Sequence, residues 1–259
     1  MKIKNDKLAW LITNYLLEFG YVPHENYDGV LDWLNLCTNI KDVDFDIGKY
    51  DEGLLYCGSA WDYVCEQTEI WKNLNIKLIQ FNYSWCALET VIDLQVDEQL
   101  ISRNGKINAA CMWLKNHLQT TDIPEAYINI YDKMIRQLKS VLQFEKDLRK
   151  LGISDEDNLP NKECANRSGA GLLVVYKIRN RFAHGSLSFP TPSDYDCDTD
   201  EYVTPELIDY AISIVLFSIV MILLVDCKEF DEVVDDATYC ENIEGKKPSE
   251  FLKSIESFL

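Results

Sequence analysis

A chain of 259 residues, 47% hydrophobic and 26% charged, can bury a sizeable core and still solvate its surface, which excludes a disordered, collagenous or coiled-coil protein. Only 11 Gly and 7 Pro interrupt it, so long regular elements are expected. The formal net charge of −18, taken as a total, argues against a partner as anionic as nucleic acid.

In chain order, Leu8 to Phe19 reads as a first helix stopped by Gly20, and residues 21–59 as mostly loop, punctuated by Pro23, Gly29, Gly48, Gly53 and Gly58. Within that loop Val43, Phe45 and Ile47 alternate with Asp42, Asp44 and Asp46, a period of two that predicts one short strand. From Ala60 to about Asp97 the pattern is helical, with Leu78, Phe81, Trp85, Leu88 and Ile92 on one stripe. A turn at Asn104 and Gly105 leads to a helix from about Lys106 to Gln119, and Pro124 starts another that runs from Glu125 to about Leu151 and ends at Gly152. After a polar loop containing Pro160, Ser168 is the expected N-cap of a helix from Gly169 to Ala183, terminated by Gly185. Pro190 and Pro192 forbid its resumption. An acidic loop (Asp194, Asp196, Asp198, Asp200, Glu201) precedes an apolar helix from Pro205 to Val225, and a polar tail finishes with a short capped helix from Pro248. The expected fold class is all-α: a helical domain over 59–227, a loop-rich extension over 1–58 and a tail over 228–259.

The apolar stretch from Tyr210 to Val225 is broken only by Ser213 and Ser218 and is bracketed by Asp209 and Asp226. At about 1.5 Å per residue it reaches roughly 24 Å, short of a bilayer core of roughly 30 Å, so a buried core helix is expected rather than a membrane span. The nine Cys include no pair at the two-residue spacing of a zinc ribbon or redox motif and read as reduced thiols. With no apolar signal core behind Met1, the expected location is the cytoplasm, with no membrane association.

The charge is partitioned. Residues 1–100 carry 7 Lys and no Arg against 17 acidic residues, and residues 186–259 carry 4 Lys against 17. Residues 101–185 hold 14 Lys and Arg against 9 acids, including every Arg in the chain: 103, 136, 149, 167, 179 and 181. A basic island in an acidic chain is the footprint of phosphate binding, although the run Lys133 to Lys150 also suits an ordinary solvated helix face.

That island ends in Arg179, Asn180, Arg181, Phe182, Ala183, His184, Gly185: an Arg, four residues, then His, with Asn directly after the Arg, at the end of a helix. Here the chain resembles the HEPN superfamily, of the Apea-like or abortive-infection type, whose signature is an Arg, four to six residues, His motif. The helix containing Trp85 to Glu89, the motif helix, a loop and a closing apolar helix are similar to the family order over about residues 70–226. The resemblance implies a homodimer whose two motifs line one cleft and cleave single-stranded RNA without metal or other cofactor, through 2′-hydroxyl attack that leaves a cyclic phosphate and a 5′-hydroxyl. It implies His184 as general base or acid, Arg179 as the stabiliser of phosphoryl charge and Asn180 as a positioning group, in a phage-defence or toxin setting with an antitoxin or activator as a further partner.

The helical wheel adds a separate observation. Lys177, Asn180, Arg181 and His184 share one stripe, a basic face suited to holding an RNA backbone, with Asn180 placed to hydrogen-bond the imidazole. Arg179 falls instead on the face of Leu172, Val175 and Phe182, and Glu89 on the inward stripe of the long helix, so each requires a partner and the two are expected to pair.

Other constellations fail on inspection. The loop from Asp194 to Glu206 alternates Asp like a calcium loop, but Thr199 stands where Gly is required and Pro205 where the bidentate Glu belongs. Neither a phosphate-binding glycine loop nor a nucleophile elbow occurs, and His24 and His117 stand apart from any nucleophile or ligand cluster. All six Trp lie in the first 113 residues, where core packing suits them better than base stacking. A histidine at a helix C-terminus is also stabilised by the helix dipole without any substrate, by about 0.3–1 kcal/mol. The alternative function is accordingly a non-catalytic HEPN module that binds RNA or protein, or an acidic mimic of nucleic acid.

Overall fold

The computed structural model describes residues 4–19, 27–50, 57–154, 156–192, 202–227 and 241–259, and these are helical with no strand among them. The helices in chain order are α1 (Asn5–Phe19), α2 (Asp28–Asn39), α3 (Gly58–Gln95), α4 (Glu98–Asn104), α5 (Lys106–His117), α6 (Glu125–Ser140), α7 (Glu145–Leu151), α8 (Arg167–Ala183), α9 (Pro205–Asp226) and α10 (Pro248–Ser254). The all-α class expected from the sequence is what the chain adopts.

The centre of the structure is α9. Thr204 caps it by accepting the Leu207 N–H at 3.1 Å, and Pro205 stands at its first turn, where a missing N–H costs nothing. Its 22 residues extend about 33 Å, long enough to cross a bilayer by length and composition. Burial within the protein, rather than shortness, is what makes it a core helix: from Ala211 to Val225 every side chain is buried. It packs against α1, α3, α5, α6, α8 and α10. The buried hydroxyls of Ser213 and Ser218 return to their own helix, at the carbonyls of Asp209 (2.9 Å) and Ile214 (2.7 Å), so neither leaves an unpaired group in the core.

Glycine permits the closest helix contacts. A Cβ on Gly169 would stand 2.9 Å from Cβ of Cys111 on α5, and one on Gly171 would stand 2.6 Å from Ile214 and 2.7 Å from the Tyr127 hydroxyl. That hydroxyl donates to the Ser168 carbonyl (2.9 Å) and accepts from the Gly171 N–H (3.0 Å), pinning the first turn of α8 to α6.

Several boundaries differ from expectation. Residues 28–39 form α2, whose Val30, Leu34 and Cys37 pack inward, where the sequence suggested loop. Residues 40–46 carry no regular structure, and the strand expected from Val43, Phe45 and Ile47 is absent: an extended segment without a ladder partner cannot form one. The helix expected from 125 to 151 breaks at Val141 (φ −86°, ψ 101°), followed by a 3₁₀ turn over Leu142–Phe144 before α7. A separate short helix, α4, capped by Asp97, fills the turn after α3. Asn166, not Ser168, caps α8, accepting the Ser168 N–H at 3.0 Å and its hydroxyl at 2.6 Å. The expected ends at Gly152 and Gly185 and the helix at Pro248 are present. Leu8, Leu11, Ile12, Val30 and Leu34 join the same hydrophobic core as α3 and α9. His24 and the acidic loop from Asp194 to Glu201 lie outside the described residues.

Candidate functional site at the end of helix α8

The motif begins on the last turns of α8 and runs through its C-terminal cap. His184 is the residue that leaves the helix (φ −95°, ψ 7°), and Gly185 follows at φ +63°, a left-handed conformation that costs other residues about 1 kcal/mol. The Ser186 N–H bonds the Arg181 carbonyl at 2.8 Å and the Gly185 N–H bonds the Phe182 carbonyl at 3.1 Å, the paired bonds of a Schellman cap. Gly185 therefore has a conformational task of its own, and it delivers His184 to the surface. The imidazole is exposed, and no hydrogen bond holds it among the described residues. The expected bond from the Asn180 side chain is not formed. The link between the two residues is the His184 N–H on the Asn180 carbonyl, at 3.0 Å.

Chain direction decides which side chains come together. Trp85 of α3 stacks on Tyr176 of α8 with centroids 6.2 Å apart and planes 14° from parallel. Fourteen residues past Tyr176, the Pro190 carbonyl accepts from both Gln67 (3.0 Å) and Trp71 (2.8 Å), which precede Trp85 on α3. The chain from 176 to 190 thus runs antiparallel to α3.

The expected Glu89–Arg179 ion pair is absent among the described residues. Glu89 instead accepts the Trp85 indole N–H at 2.7 Å. Both charged groups lie within electrostatic range of Cys86: burial raises its thiol above the ordinary range, Glu89 raises it further, and Arg179 opposes both. Arg179 is half-buried and makes no ion pair or hydrogen bond among the described residues.

The rest of the stripe is divided. Lys177 is half-buried, its ammonium 6.0 Å from the centroid of the neighbouring Tyr176 ring. Arg181, expected on the RNA-facing stripe, turns to α7: its Nε donates to Asp147 at 2.7 Å and its guanidinium lies 5.1 Å from the Phe144 ring centroid. With side chains only 22% and 17% exposed, this pair is a tertiary clamp rather than an open phosphate contact. Much of the basic island is similarly engaged. Arg149 bridges to Glu145, Lys106 to Asp93, and Lys139 donates to the Ser154 carbonyl and Asn158.

Sequence reasoning missed a groove of about 1130 Å³ where α2 and α3 meet the first turns of α1 and α9. In it Lys77 bridges to Asp209 (2.9 Å), Asn5 donates to the Asp209 carbonyl (3.0 Å), and Gln80 donates to the Ile40 carbonyl (2.9 Å). These polar groups satisfy one another and join segments more than two hundred residues apart, so the groove is explained as a seam. Cys37 on its wall is buried, which pushes its thiol up to about 12. No signal in the sequence marked these residues, because their meeting is wholly tertiary.

No family model, curated protein or solved structure matches this chain. Among the described residues no group of His, Cys, Asp and Glu is arranged to hold a metal ion.

Proposed function

We propose that this chain is a HEPN-like endoribonuclease that cleaves single-stranded RNA without metal, as a homodimer with a composite site. The observation that carries this reading is the state of two side chains at one helix end: an exposed imidazole, His184, and a half-buried guanidinium, Arg179, neither held by another side chain among the described residues. His184 takes the proton of a ribose 2′-hydroxyl. The oxygen attacks the adjacent phosphorus, the bond to the 5′-oxygen breaks, and that oxygen leaves with a proton supplied by the partner copy's motif. Arg179 offers its fixed fork of donors to the phosphoryl oxygens as their charge grows. Asn180 and Lys177, both half-buried on the same turns, hold the substrate strand. Arg181 has no part in this scheme, because it is spent on Asp147.

The test is cleavage of a fluorescent single-stranded RNA in EDTA by the wild type, His184→Ala and Arg179→Ala, each matched for folding and oligomeric state. Cyclic-phosphate ends that appear only with the wild type support the reading. Their absence across varied substrates overturns it. The cap geometry, which accounts for Gly185 without any substrate, favours a second reading: a non-catalytic module that binds RNA, visible as a salt-dependent gel shift without cleavage.

A further inference from the structure

On the flank of α3, ahead of the Trp85–Tyr176 stack, three aromatic rings converge on a small opening. Trp71 and Phe189 meet edge to face, centroids 6.0 Å apart and planes at 64°, and Phe45 from the extended segment faces them. The pocket they line with Leu74, Asn75 and Leu78 has a volume of about 100 Å³ and is almost wholly apolar. It is held open by its surroundings: the Trp71 indole N–H and the Gln67 amide both bond the Pro190 carbonyl, fixing the backbone next to Phe189. Phe189 nevertheless remains 40% exposed, which leaves part of its ring open to a ligand.

Asp44 and Asp46 flank Phe45 in sequence and are exposed. The adjacent cation, Lys72, is committed to Asp42 at 2.7 Å and lies within electrostatic range of Asp44 and Glu69. An acidic rim repels a phosphate strand, so a nucleic-acid base is a poor occupant. A cation without N–H donors suits the pocket: it loses little on leaving water, ring faces attract it within about 6 Å of their centroids, and the carboxylates add a long-range field.

We propose that Phe45, Trp71 and Phe189 form an aromatic cage for the quaternary ammonium head of a small organic cation, with Asp44 and Asp46 as its electrostatic collar. The pocket volume admits one trimethylammonium head and little more. This site is independent of the ribonuclease reading and uses none of its residues.

The experiment is isothermal titration of the full chain with choline, with 3,3-dimethylbutan-1-ol as the uncharged isostere. Choline is expected to bind at least tenfold more tightly than the isostere. Phe189→Leu, at an exposed position, is expected to lower choline affinity at least tenfold with unchanged circular dichroism, and Asp44→Asn with Asp46→Asn to lower it severalfold. Equal binding of the two ligands, no binding of choline, or full affinity in Phe189→Leu overturns the proposal. A trimethyllysine peptide that binds at least tenfold more tightly than free trimethyllysine overturns the small-molecule assignment and makes the cage a reader of protein side chains.

Discussion

Trp85 is 2% exposed, and its one indole N–H is directed at the Glu89 carboxylate, 2.7 Å away and one turn along the same helix. The acceptor, rather than the charge, is what the stack on Tyr176 requires. Glu89→Gln keeps an acceptor oxygen and is expected to change stability by less than about 0.5 kcal/mol, whereas Glu89→Ala orphans a buried donor at a cost of about 1–3 kcal/mol. Urea unfolding of the two variants checks this. Equal losses would show that Glu89 acts through its charge.

The clamp between Arg181 and Asp147 joins α8 to α7. Asp147→Ala leaves a mostly buried guanidinium over the Phe144 ring without its carboxylate. A loss of about 2 kcal/mol is expected, between the worth of an exposed pair and the cost of breaking a buried one. Under the proposed function, Arg181→Lys should weaken the fold more than it weakens RNA binding. Paired urea and gel-shift measurements read out both.

Two glycines of α8 should fail for different reasons. Gly171→Ala drives a Cβ into Ile214 and the Tyr127 hydroxyl and should cost about 1–3 kcal/mol or more through overpacking, with the helix forced away from α6 and α9. Gly185→Ala meets no atom within 4 Å and pays only for its positive φ, about 1 kcal/mol. Gly185→Asn, which tolerates that conformation better, should recover part of the loss, whereas no polar substitution should rescue position 171.

The Cys37 thiol supplies a pH prediction. Burial raises it in the folded protein to about 12, against about 8.5 for an unfolded cysteine. Its contribution to stability is complete below the unfolded value and is lost as pH climbs through the window toward 12, because the unfolded chain ionises first. The slope of urea midpoint against pH above about 9 should therefore be shallower in Cys37→Ala than in the wild type. At pH 8 the exposed Cys57 and Cys65 should react with a thiol reagent while Cys37 and Cys111 stay protected.

What the sequence made legible was periodic or punctuated. The stripe from Leu78 to Ile92 and the apolar run of α9 declare helices through spacing alone, and Gly152 and Gly185 mark stops because the left-handed backbone that ends a helix favours glycine. The helix α2 was concealed by Gly29 in its first turn, although Val30, Leu34 and Cys37 stand at helical spacing. The alternation at Val43 to Ile47 misled because only Phe45 of its three apolar residues lines the Trp71 pocket, whereas Val43 is half-buried, Ile47 is exposed and no neighbouring strand pairs with the segment among the described residues. Arg179, Asn180 and His184 could be located as a motif. The partners of Glu89 and Arg181 could not, since a helical wheel gives the face of a residue but not the direction in which the neighbouring helix runs.

The placement of α9 has a consequence for how the chain comes together. Its neighbours include α1, at the opposite end of the sequence, and α3, α5, α6 and α8 in between. None of them can close its apolar face until residues 205–226 have left the ribosome. The preceding two hundred residues can pair α1 with α2, α2 with α3 and α5 with α8, but the apolar surfaces that those pairs turn toward α9 stay uncovered for most of synthesis. Truncation ahead of Pro205 should thus yield an insoluble chain rather than a smaller folded one.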